Sequence, residues 1–107
     1  MSTFDEREEG FESKFAHDEE LEFKATARRN RMLGLWAGEL MGLAEANLDE
    51  YAAAIVRADV TEPNDEDVLR RVSRDLEGAG IKVTEGQVMA KMDELLAIAR
   101  GQIQAGE

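Results

Sequence analysis

From Leu21 onward, apolar residues recur every three or four positions and the pattern breaks three times, which predicts four helices. The first spans about 21–41, with Leu21, Ala25, Met32, Leu35, Trp36 and Leu43 on one broad face. Gly42 and the polar residues 45–47 end it. Asn47 then reads as an N-cap, with Glu50 three residues on as its capping-box partner. The second helix follows over about 48–60, on a stripe of Leu48, Tyr51, Ala52, Ile55 and Val56.

A third helix over about 65–77 follows Pro63, the only proline, with Asn64 placed to cap it. Asp65, Glu66 and Asp67 suit the positive end of its dipole. Its apolar face is Val68, Leu69, Val72 and Leu76, with Arg70, Arg71 and Arg74 outside, and the glycines at 78 and 80 stop it. A fourth helix, about 85–100, starts from a second capping box, Thr84 with Gln87. Val88, Met92, Leu95, Leu96, Ala99 and Ile103 carry its stripe. Four amphipathic helices on short links imply an all-α fold, a small four-helix bundle over 20–104.

Residues 1–19 follow another rule. On a helix Phe4, Phe11 and Phe15 fall within about 40° of one another, a narrow aromatic line on a rod of charge. Burying three rings gains less than the backbone entropy lost in ordering about 15 residues, and Gly10 weakens the helix further. The segment is therefore expected to be mobile or partly helical when the protein is free. It is expected to become helical when a partner's groove accepts the rings. The alternative is that the rings fold back onto the bundle; like-charge repulsion opposes that.

Charge sharpens the division. The net charge is −11 over 107 residues. Residues 1–24 hold nine acids and three bases, whereas residues 25–46 hold two acids and three bases. So acidic a chain is not expected to bind nucleic acid or to insert directly in a membrane. The stretch from Met32 to Ala44 is too short to span a bilayer and contains Glu39. No signal peptide is legible at the acidic start, so a cytosolic protein is expected. The absence of cysteine excludes disulfides and thiolate metal sites.

Candidate chemistry is sparse. His17, the only histidine, reads as a solvated side chain or, more sharply, as a pH sensor. No nucleophile–base constellation and no phosphate loop is present, so neither an enzyme nor a cofactor is expected. Gly34, Gly38 and Gly42 recur on one face of the first helix, where glycine costs about 1 kcal/mol relative to alanine. They imply close approach of another helix, or local looseness. The cluster "ARRNR" at 27–31 reads first as a solvated face balancing the acidic start, and otherwise as a carboxylate or anion contact.

The blocks "FDEREEGFESKFAHDEELEFKATARRNRMLGLWAGELMGL" and "DEDVLRRVSRDLEGAG" resemble the zeta subunit of the F-type ATP synthase of alphaproteobacteria. The resemblance implies a four-helix bundle that inhibits ATP hydrolysis by the synthase. It implies that residues 1–19 enter a catalytic interface between the α and β subunits, beside the γ stalk, and block rotation. Phe4, Arg7, Phe11, Lys14 and Phe15 would carry that contact. It also implies a protein that is monomeric when free and peripheral to the inner membrane through the synthase. A second reading is a regulator whose bundle binds ADP or ATP weakly through Arg28, Arg29, Arg31 and Trp36. A third is an adaptor or assembly factor without inhibitory action.

Overall fold

The structure, a computed structural model, describes residues 3–61 and 64–106, with backbone alone for 3–18 and 59–61. Four helices follow one another: α1 (Thr3–Leu40), α2 (Glu45–Thr61), α3 (Asp65–Gly78) and α4 (Glu85–Gln104). No strand is present among the described residues. The all-α four-helix bundle is as expected, and the segment ahead of it is helical in its backbone. The boundary expected at residue 19 is not a break in the helix: α1 runs through it. The fold-back of Phe4, Phe11 and Phe15 is an expectation about side chains outside the described residues.

The two C-terminal helices begin where local chemistry dictates. Asn64 caps α3, its side chain accepting from the Glu66 N–H at 2.9 Å. Thr84 and Gln87 form the reciprocal capping box of α4, at 3.1 and 2.9 Å. The buried residues of α3 are Val68, Leu69, Val72 and Leu76, the stripe read from the sequence. Those of α4 are Val88, Met92 and Ala99.

Two helices end in the same way. Gly42, at φ 84°, donates to Glu39 O at 3.0 Å, and Leu43 N–H reaches Gly38 O at 2.9 Å. Gly80, at φ 78°, donates to Glu77 O at 3.0 Å, and Ile81 N–H reaches Leu76 O at 2.9 Å. This paired pattern satisfies the last carbonyls and needs the left-handed conformation that glycine adopts freely. The tight reversal after Gly42 also corrects the start of α2. The helix begins at Glu45, which itself takes φ 49°, and the Ala44 carbonyl accepts the Asn47 N–H at 3.2 Å. Asn47 therefore lies inside the first turn and is not the cap.

The core cluster gathers Leu33 and Ala37 of α1, Ile55 of α2, the α3 stripe, and Val88 and Met92 of α4. Tyr51 joins α2 to α3 by donating its hydroxyl to Asp75 Oδ2 at 2.8 Å. Burial, and then that hydrogen bond, push its phenol well above the ordinary range, so it remains a donor.

The face that α1 buries differs from the expected one. Its fully covered residues are Ala25, Arg29, Asn30, Leu33, Gly34, Ala37 and Gly38. That face is turned by roughly a third of a revolution from the line through Met32, Leu35 and Trp36, which are half-buried beside it. The cause is α2. A Cβ on Gly34 would lie 2.7 Å from the Ala52 Cα, and one on Gly38 would lie 2.5 Å from Leu48 Cδ1. Close approach, rather than looseness, accounts for these two glycines, and the absence of side chains is what marks the centre of the face.

Gly34→Ala must push backbone aside and is expected to destabilise the bundle by about 1–3 kcal/mol in urea unfolding. Gly101→Ala, in the interior of α4 with nothing within 4 Å of the added Cβ, is expected to stabilise it by about 0.5–1 kcal/mol. Equal effects of the two would contradict the packing described.

Candidate functional site

α1 carries 38 residues, about 57 Å of helix at 1.5 Å per residue. The first buried side chain along it among the described residues is Ala25. The candidate site is thus the N-terminal part of α1 together with the root where it joins the bundle. Phe4, Arg7, Phe11, Lys14, Phe15 and His17 all fall on the N-terminal part; their side chains lie outside the described residues. The helical backbone keeps the spacing that places Phe4, Phe11 and Phe15 along one line.

The root is gripped from two sides. Glu22 accepts two hydrogen bonds from Arg100 of α4, from Nε at 2.8 Å and Nη2 at 2.9 Å. This paired geometry holds the Glu22 carboxyl below its ordinary value, the hydrogen bond from Arg100 being the main cause. Nearly two turns further on, Arg28 Nη1 donates to Gln102 Oε1 at 3.3 Å. These contacts tie α1 to the C-terminal turns of α4.

On the other side Arg29 is turned inward. It is 2% exposed, with Nη2 2.7 Å from Asp65 Oδ1 and Nε donating to Asn30 Oδ1 at 3.0 Å. Asp65 is the first residue of α3 and its side chain is 66% exposed, so one end of the pair is dry and the other wet. A guanidinium fits this position because its planar fork serves two acceptors at once. The solvated-face reading of "ARRNR" is corrected here. Arg31 is exposed, Arg28 is half-buried, and Arg29 and Asn30 are in the core. The alternative reading, a carboxylate contact, describes Arg29, and the carboxylate belongs to this chain.

Arg28, Arg29, Arg31 and Trp36 do not converge. Arg28 faces α4, Arg29 faces the start of α3, and Arg31 faces solvent. The Trp36 ring lies under the Lys91 ammonium, 5.7 Å from its centroid. Among the described residues no group of three or more histidine, cysteine or acidic side chains is placed to hold a metal ion. No helix among them is long and apolar enough to cross a membrane. The Glu22–Arg100 bridge escaped the sequence reading, and Asp65 was read only as a first-turn acid of α3. Each of these side chains looks like an ordinary surface charge, and its partner lies 78 or 36 residues away.

The fold is a bundle of four helices in which α1 begins well ahead of its first buried side chain described and is tied to α4 through Glu22 and Arg100. The chain matches the family ATPase inhibitor subunit zeta over residues 1–102, and it belongs to that family. A solved structure, a protein studied by solution NMR, is 40% identical to it, with 81% of this chain and 99% of that chain covered and a TM-score of 0.69. None of the curated proteins compared with it matches.

Two outcomes test the root. Arg29→Ala removes the buried fork and is expected to cost about 2–4 kcal/mol in urea unfolding. For Glu22, a folded-state value below the ordinary 4.5 means the bridge stabilises the fold above pH 4.5 and is lost as pH falls through the lowered value. The thermal midpoint of Glu22→Gln should therefore lie slightly below that of the native chain at neutral pH, by less than about 1 kcal/mol of stability. The two should converge under acid. A gap that widens on acidification would contradict this.

Proposed function

We propose that this protein inhibits ATP hydrolysis by the F-type ATP synthase by inserting the N-terminal part of α1, as a helix, into a catalytic interface between α and β subunits. There it obstructs rotation of the γ stalk. Membership of the ATPase inhibitor subunit zeta family gives the broad role. The observation that supports this particular route is that α1 begins at Thr3 while the bundle's buried side chains on it begin only at Ala25. That leaves about six turns of helix ahead of the first buried side chain described, which a partner can use.

The physical logic is that of a helix seated in a groove. Phe4, Phe11 and Phe15 supply the anchors, since large aromatic side chains dominate such contacts. Arg7 and Lys14, bases among many acids, set orientation and the rate of encounter. The bundle acts as a folded handle that keeps α1 nucleated, so helix formation extends an existing helix rather than starting one.

The experiment is ATP hydrolysis by the homologous synthase head with added full-length protein. The expected result is inhibition by the native chain. With Phe4, Phe11 and Phe15 all changed to Ala, inhibition should weaken by at least about 100-fold, from the loss of several kcal/mol of anchoring. Equal inhibition by the two proteins would remove the arm from the mechanism. Equal inhibition by the native chain and His17→Gln at every pH would likewise remove His17 as a pH sensor.

A further inference from the structure

We infer that the root of α1 is itself an interaction surface, and that Phe23, with Ala27 and Ile103, seats on the rim of the groove that receives the arm. The inference rests on the insertion proposed above and adds a second contact with the same partner.

Phe23 is 68% exposed, the most exposed of the large hydrophobic side chains described. A single exposed apolar residue is ordinary. The position of this one is not. It follows Glu22, the residue through which α4 first grips α1 by way of Arg100. With Ala27 of the next turn and Ile103 of α4 it lines a concavity of about 500 Å³ open to solvent.

Width decides what meets this surface. A single α-helix is about 10–12 Å across with its side chains. From Glu22 onward α4 lies alongside α1, held first through Arg100 and then through Gln102, so the body there is at least two helices wide. A groove that fits one helix excludes that body. Insertion therefore stops where α4 joins α1, and the surface at that step is brought against the groove's edge. Phe23 lies about 80° around the helix from Phe15. With the line of Phe4, Phe11 and Phe15 on the groove floor, Phe23 faces one wall at the mouth. The same concavity is lined by Lys24, ion-paired to Glu20 at 3.1 Å, and by Arg28, hydrogen-bonded to Gln102.

The test uses the full chain and the homologous synthase head. Phe23→Ala removes an exposed ring and introduces a stronger helix former, so the thermal midpoint should not fall. The concentration giving half-maximal inhibition should rise about tenfold or more, chiefly through faster dissociation. Met89→Ala, 52% exposed on α4 beside a different concavity, should leave inhibition unchanged. If the native chain inhibits and Phe23→Ala inhibits equally well, the rim contact is wrong while the insertion stands. If Met89→Ala weakens inhibition as much as Phe23→Ala, the contact is not at the root and the inference is overturned. If the native chain does not inhibit, the insertion fails and the rim contact fails with it.

Discussion

Gly34 of α1 lies so close to Ala52 of α2 that no side chain fits between them, and the rest of the arrangement follows from that approach. A helix pressed this tightly on its neighbour cannot rotate about its axis. Its rotation then decides which residues turn inward. Leu33 and Ala37 enter the core, and Arg29 is carried to a place where only a carboxylate from the start of α3 can compensate its charge. Glu22 is presented to Arg100 at the far end of α4. One contact between small residues thus sets the direction in which the N-terminal part of α1 leaves the bundle.

This division of labour explains why so small a chain keeps so long a helix. Among the described residues the aliphatic core is drawn from all four helices, and on α1 it starts at Leu33. Helix nucleation is the costly step in forming an isolated helix, and the bundle has already completed it. An arm grown from a folded root needs only propagation; in the insertion proposed above, the receiving groove supplies the missing apolar surface. The acidic character of the first 24 residues discourages the arm from lying on an acidic bundle.

The parts of the fold legible in the sequence were those governed by local rules. α3 and α4 announced themselves because their caps are motifs of three and four residues and their stripes are apolar throughout. The face of α1 was misread because its centre is marked by glycine, asparagine and arginine, which a search for apolar periodicity passes over. Arg29 is buried only because Asp65, 36 residues on, meets it. The start of α2 was misplaced because Asn47 is a good cap by residue type, whereas the tight turn at Gly42 and the left-handed Glu45 bring the helix in earlier. At the candidate site, the line of three phenylalanines could be read from spacing alone. The bridge that fixes its root could not, since Glu22 and Arg100 are 78 residues apart and differ in no visible way from neighbouring charges.

The central claim is that the N-terminal part of α1, rather than the bundle, occupies the catalytic interface. Photo-cross-linking addresses it directly, with a reactive group placed at Phe11 or, separately, at Ile98 on the exposed side of α4, in protein bound to the homologous synthase head. The account predicts cross-links from position 11 to the α and β subunits at a catalytic interface, and none to that interface from position 98. Cross-links to the interface from position 98 alone would contradict it.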